Sequence, residues 1–145
     1  NDRIQKLDSN GKFIAQWGSS GEGEGQFNRP AAVAVDDDGN MYVADWGNER
    51  VQILDRQGEV LDILRGDSVD STWADDYFQA NPNEGAARLA ADLEPVIDVP
   101  QELLRETSAN VEKLFWGPTA VKLDDQGRVY IVDSCRHRLQ IYRKS

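Results

Sequence analysis

Apolar residues in the first part of this chain recur in short runs of four to six, most of them alternating with polar ones, and each run is closed by Gly, Asn or Asp. That is the pattern of β-strands joined by tight turns. Arg3 to Leu7 alternates, Asn10-Gly11 predicts a two-residue hairpin turn, and Lys12 to Trp17 reads as the returning strand. Gly18 to Gly25 (GSSGEGEG) is a polar connection expected to be a surface loop. It lacks the Lys and the following helix of a phosphate-binding loop. Ala31 to Val35 is a continuous apolar run, suited to a strand buried on both faces. Asp36 to Asn40 turns, Met41 to Ala44 returns, Asp45 to Glu49 turns again, and Arg50 to Leu54 is a third strand. After the turn at Arg56-Gln57-Gly58, Glu59 to Leu64 is a fourth. Three more strands are expected from Thr119, Arg128 and Arg138.

Between these runs the period changes. Thr72 to Ala80 places Trp73, Tyr77 and Phe78 on one helical face. Asn81 is expected to cap a second helix, with Pro82 at its first position and Glu84 completing a capping box. Ala86, Leu89, Ala90 and Leu93 form its stripe, and Pro95 ends it. Asp98 with Gln101 signals a third helix, with Leu103, Leu104, Thr107, Val111 and Leu114 as its apolar side. Three striped helices must pack on something, and the strand region is the nearest surface.

The strand pattern repeats. Residues 26–53 return as 114–141 at an offset of 88 with no gap, and Phe27/Phe115, Pro30/Pro118, Asp36/Asp124, Gly39/Gly127, Tyr42/Tyr130, Asp45/Asp133, Arg50/Arg138 and Gln52/Gln140 are among the identical pairs. A partial third copy opens the chain, where NDRIQKLDSNGKF matches NERVQILDRQGEV from Asn48 at an offset of 47. Self-similarity at this period marks a blade or solenoid architecture, and four short antiparallel strands on tight turns make one propeller blade. The expected fold is therefore all-β: a β-propeller sector of four-stranded blades with an α-helical insertion between two of them. Residues 1–66 hold propeller strands (a partial blade at 1–17, a full one at 30–65), 67–113 the helical insertion, and 114–145 a three-stranded blade. Such a sector leaves strand edges unpaired. It is expected to be part of a larger ring, completed by the same chain or another subunit, and not an isolated monomeric fold.

The net charge of −10 is concentrated. Residues 67–113 hold eleven Asp and Glu against three Lys and Arg, leaving −2 elsewhere. Without a basic stripe the chain is a poor nucleic-acid binder. No apolar window is long enough for a membrane span. The chain opens at Asn1 with no secretory signal, which leaves periplasmic, extracellular and cytoplasmic locations open. The single Cys135 excludes an internal disulfide.

Candidate chemistry is sparse. Asp45 with Arg50, and Asp133 with Arg138, flank equivalent turns, where a charge-assisted hydrogen bond would pin the turn. Residues repeated in each blade serve the blade, whereas a catalytic site breaks the symmetry. Asp36, Asp37 and Asp38 invite a calcium reading, but the sixth residue from Asp36 is Met41 where such a loop needs Gly. His137 and Cys135 make at most a partial zinc site. Asp133, Ser134 and His137 lie too close along one turn to converge as a triad. No catalytic, metal or cofactor residue is assigned, and no cofactor or tightly bound metal is expected. Strand direction puts the Asp45–Glu49 and Ser134–His137 turns on one face with GSSGEGEG and the helical insertion. Trp46, Asn48, Glu49, Cys135, Arg136 and His137 are its candidate binding residues.

The pattern carried by Pro30, Asp36, Gly39, Tyr42, Asp45, Asn48, Arg50, Gln52 and Ile53, and again from Pro118 through Gly127, Tyr130, Asp133, Arg138 and Ile141, resembles the NHL repeat. Arg136 stands where the pattern has Asn48, a departure expected to loosen that turn. The resemblance implies a propeller of about six blades. It also implies a scaffold for protein, RNA or ligand binding, occasionally a lyase using several metal-ligating histidines that this chain lacks. The leading expectation is a non-catalytic binding or assembly module whose acidic helical cap contacts a partner protein. The alternative is part of a metal-dependent lyase or hydrolase whose ligands lie on blades outside this chain.

Overall fold

The computed structural model describes residues 1–96 and 104–144. The expectations placed on Asp98, Gln101 and Leu103 lie outside the described residues. Strands β1 (Ile4–Leu7) and β2 (Phe13–Trp17) form a hairpin, and β3 (Ser19–Ser20) pairs in parallel with β4 (Gln26–Phe27). Strands β5 (Pro30–Val35), β6 (Met41–Asp45), β7 (Arg50–Leu54) and β8 (Val60–Leu64) follow as one antiparallel sheet in sequence order. Helices α1 (Thr72–Ala80), α2 (Pro82–Ala90) and α3 (Leu104–Asn110) come next. Strands β9 (Pro118–Leu123), β10 (Arg128–Asp133) and β11 (Arg138–Arg143) make the last sheet. This is a sector of a β-propeller with helices inserted between two blades.

The hairpins β1–β2, β5–β6, β7–β8 and β9–β10 share one turn. At Asp8–Lys12, Asp36–Asn40, Asp55–Glu59 and Asp124–Arg128 the Asp N–H donates to the fifth residue's carbonyl at 2.9, 3.0, 2.9 and 3.1 Å. The Asp Oδ1 accepts the fifth residue's N–H in return, at 2.8, 2.8, 2.9 and 2.9 Å. The fourth residue is always Gly, with φ of +80°, +83°, +92° and +72°. A type I turn followed by a left-handed residue gives a three-residue loop. The two-residue Asn10-Gly11 turn is thus corrected. Only Gly11 has positive φ, and Ser9 joins the loop because Asp8 supplies the closing bonds.

The same device accounts for the Asp36 cluster. Asp36 Oδ2 accepts from Asn40 Nδ2 at 3.0 Å and meets Lys144 Nζ at 2.8 Å, which ties the first full blade to the last strand. Burial opposes ionisation of Asp36, but hydrogen bonds from Lys144 and Asn40 outweigh it and bring the carboxyl from 3.8 to about 2. A depressed carboxylate stabilises the fold above its unfolded value, and that contribution is lost as pH falls through the folded one. Asp36→Asn is therefore expected to lower stability at neutral pH and to flatten its decline between pH 3.8 and about 2, as read by denaturation across that window.

Two apolar layers join the sheets. Tyr42, Ala44 and Val51 meet Phe115, Val121, Val129 and Ile131 between the second and last sheets. Phe27, Met41, Val43 and Leu54 meet Ile4 and Trp17 on the opposite face. Strand β6, covered on both sides, is buried throughout. Strand β5 is not, which corrects the expectation for Ala31–Val35. Its burial alternates, and Val33 and Val35 face a cleft against Ile4, Leu7 and Trp17. The physical reason is that the opening hairpin has only two strands and leaves this part of the face uncovered.

In the insertion, Ser71 caps α1 by accepting from Ala74 N–H at 3.2 Å. The capping box at Asn81 does not form. Asn81 Nδ2 donates to the Tyr77 carbonyl at 2.9 Å, closing α1, and Glu84 Oε2 accepts from Tyr77 O–H at 2.7 Å. Helix α3 ends at Asn110, short of Leu114. It packs on the blades with Ser108, and Val111 just beyond its end, buried. Helices α1 and α2 bury no residue, so the expectation that their stripes cover the propeller is corrected. Trp73 stays 75% exposed, stacked on Tyr77 with ring centroids 6.0 Å apart.

Candidate binding face

The turn between the second and third strands of each blade is a polar joint. Asp45 Oδ1 accepts from Asn28 N–H at 2.7 Å. Its Oδ2 accepts from Asn48 Nδ2 and Arg50 Nε, both at 2.8 Å, and from Gln52 Nε2 at 3.2 Å. Arg50 then reaches the Gly23 and Gln26 carbonyls at 2.8 and 2.9 Å, and Asn48 the Gly21 carbonyl at 2.9 Å. GSSGEGEG is therefore more than a surface loop. Its Gly23 carbonyl accepts from the buried Arg50 and its Gly21 carbonyl from Asn48, and its Ser19–Ser20 pairs in parallel with Gln26–Phe27 just beyond it.

The last blade repeats the joint on a different strand of backbone. Asp133 accepts from Trp116 N–H at 2.7 Å and Arg138 Nε at 2.8 Å. Arg138 clamps the Glu112 and Leu114 carbonyls at 2.8 and 2.6 Å, and Gln140 Oε1 accepts from Asp67 N–H at 3.2 Å. Residues 67 and 112–114, the two ends of the insertion, thus occupy the place that GSSGEGEGQ takes in the earlier blade. With its flanks the insertion makes one enlarged link between blades, 65–117, where the earlier link spans 18–29.

In the first two units an acidic residue ties the unit to the following link. Asp2 Oδ1 accepts the N–H of Arg29 at 2.8 Å, and Glu49, its equivalent 47 residues on, accepts the N–H of Gly117. Arg29 and Gly117 hold the same place in the two links, both with positive φ, +54° and +85°. Burial pushes the Glu49 carboxyl up, opposed by the Gly117 N–H and by Arg105, whose Nε lies 3.0 Å from Glu49 Oε1. His137 holds this turn position in the last blade, with φ +52°, and is exposed. A glycine is kept wherever link meets turn. A Cβ on Gly47 would lie 2.5 Å from the Asn28 carbonyl oxygen, and one on Gly117 2.8 Å from Cys135 Sγ. Where the earlier joint has Gly47 in the turn and Arg29 in the link, the last has Cys135 in the turn and Gly117 in the link.

Of the six candidate binding residues, Asn48 and Glu49 are buried and engaged in these joints, which corrects their place on a contact surface. Trp46 has two guanidinium groups over its ring, Arg105 at 4.0 Å from the centroid and Arg29 at 5.9 Å. Cys135 is half-buried beside Gly117. Arg136 does not loosen its turn. Its Nη2 is shared among the Ser108, Ala109 and Val111 carbonyls at 2.8, 2.9 and 3.0 Å, which closes the C-terminal end of α3. Carbonyls left open at a helix end favour such a cation. Arg136→Asn is expected to free that end, so amide exchange across 105–111 should accelerate about tenfold while β10 and β11 stay protected. Unchanged exchange in α3 would remove Arg136 as its anchor.

Among the described residues no three His, Cys, Asp or Glu side chains cluster as a metal site. No described helix is long and apolar enough to cross a membrane.

The NHL repeat family matches residues 27–54 and 115–142, from Phe27 and Phe115 through the two polar joints. The chain carries two NHL repeats. It is 39% identical over 62 residues to NHL repeat-containing protein 3 of Homo sapiens, covering 42% of this chain and 18% of that protein. It is 31% identical over 88 residues to E3 ubiquitin-protein ligase TRIM32 of Homo sapiens, covering 60% of this chain and 14% of that one. Protein lin-41 of Caenorhabditis elegans is 44% identical over 48 residues, 33% of this chain and 4% of its own. The chain thus matches less than a fifth of the length of each of these NHL proteins. Within each NHL repeat the repeated Asp and Arg are the joint. Among the pairs that differ, Glu49 and Cys135 meet Gly117 of the link and Arg136 the end of α3, while His137, in the place of Glu49, is exposed.

Proposed function

We propose that this NHL sector is a non-catalytic protein-binding module and that its acidic helical insertion makes the contact. The observation that carries the reading is a contrast within the insertion. Its ends and α3 are fastened to the propeller by Arg138, Arg136 and the Arg105–Glu49 pair. Its α1–α2 hairpin is held out with Trp73 and Leu89 exposed. A rigid mount that presents aromatic and leucine side chains on one loop of a propeller is the arrangement of a recognition element. The face beside it adds Trp46, Cys135, Arg136 and His137. Photocrosslinking tests this with benzoylphenylalanine in place of Trp73, of His137, or of Gln57 in the opposite turn. The same polypeptide is expected to be trapped from native extract at the first two positions and not at Gln57. Trapping only at Gln57 would place the contact on the other face.

A further inference from the structure

Helices α1 and α2 enclose a groove of ≈ 830 Å³ that no described residue fills. Phe78, Ala86, Leu89 and Leu93 supply its apolar lining, and Asp70, Asp75, Asp92 and Glu94 supply its acidic one. Arg88, the only cation among the described residues lining it, is held by Asp70 and Glu112 at 2.5 and 3.0 Å. Arg88 also lies over the Phe78 ring, 5.5 Å from its centroid.

We propose that this groove docks a basic amphipathic helix of a partner protein, with apolar anchors on Phe78 and Leu89 and Lys or Arg toward Asp75 and Asp92. The proposal rests on the insertion being the contact surface and names what it contacts. Shape is the first argument. Two successive helices that bury none of their own residues leave a seam that a third helix can fill, with its ridges set into theirs. A small ligand is a poor fit, because small-molecule sites cover most of the ligand and here Leu89 is 90% exposed.

Charge is the second argument, and it selects the occupant. All three basic residues of 67–113 are already paired: Arg88 as above, Arg105 with Glu49 at 3.0 Å, and Lys113 with Glu94 at 2.8 Å. The rest of the field is negative, which favours a cationic partner and repels an acidic one. A second copy would bring the same surplus of acids. The chain's own residues 97–103 carry Asp98 and Glu102 with no Lys or Arg, the wrong sign to complement the rim.

The test uses the full chain and three fluorescein-labelled peptides of about 15 residues, four helical turns. The first is amphipathic Leu/Lys, the second has the same composition without an apolar face, and the third is amphipathic Leu/Glu. Anisotropy is expected to show the first binding about tenfold tighter than the second, with no binding of the third. Leu89→Ser should weaken the first about tenfold, as for a central anchor. Asp75→Asn with Asp92→Asn should reduce its salt dependence. Equal binding of the first two peptides, or no response to Leu89→Ser, overturns the proposal. So does a dimer in sedimentation that Leu89→Ser dissociates, which would put a second copy in the groove. If no peptide binds while crosslinks still form at Trp73, the groove chemistry alone fails. If neither occurs, the binding role of the insertion fails with it.

Discussion

Asp45→Ala is expected to destabilise the protein by about 3–5 kcal/mol, the largest single-site effect in the chain outside the apolar layers. Arg50 is only 2% exposed, and Asp45 is its charge partner at 2.8 Å. Removing the carboxylate leaves a guanidinium in the interior against backbone carbonyls alone, and a buried unpaired charge costs more than the pair contributed. The Asn28 N–H also loses its acceptor. The last blade gives an internal control. Arg138 is 21% exposed, so water screens it when Asp133 is removed. Asp133→Ala should therefore cost clearly less than Asp45→Ala in urea denaturation followed by tryptophan fluorescence. Equal and small losses for both would mean that the joints are ornaments of the turns and not what holds them.

Phe115→Ala should cost a further large amount, about 3–5 kcal/mol. Phe115 is fully buried where the insertion re-enters the sheet, in the layer with Tyr42, Val51 and Ile131 and 6.1 Å from the Tyr142 ring. Its N–H donates to the Arg65 carbonyl at 2.8 Å, so the two strands of the link are drawn together at the same residue. Truncation removes transfer energy and leaves a cavity between sheets that cannot collapse independently. Phe13 is 55% exposed, and Phe13→Ala should change stability by less than about 1 kcal/mol. Comparable shifts of the two in thermal unfolding would show that the sheets are not coupled through the Phe115 layer.

The blades were legible because their devices repeat. Asp and Gly recur three apart at Asp8, Asp36, Asp55 and Asp124, and Arg recurs five after Asp45 and Asp133. The acidic tie was also on view, since Asp2 aligns with Glu49, but its acceptor role needs the Arg29 and Gly117 amides, far off in sequence. Distance explains the other departures. Arg136 looked like a defect in its own turn because the carbonyls it serves lie 25–28 residues earlier. Asn81 sits between two helices, and its side chain closes the first because the Tyr77 carbonyl is within reach. Ala31–Val35 has no polar residue to mark an exposed side, so its burial depends on a neighbouring sheet that local pattern does not report. The burial of Asn48 and Glu49 has the same origin. Polar residues in a turn read as surface until a loop or a second blade closes over them.

The central claim is that the propeller supplies the mount and the insertion the contact. Both links enter their blades through the same arginine clamp, so the shorter link is expected to replace the insertion with both Asp–Arg pairs kept. The direct measurement compares the protein with a version in which residues 67–114 are replaced by the sequence of 20–26. Each is assayed against the polypeptide trapped at Trp73, by titration calorimetry. The account predicts that the exchanged version keeps its cooperative unfolding and loses the partner. Full binding by the exchanged version would contradict it and move the contact onto the blades themselves.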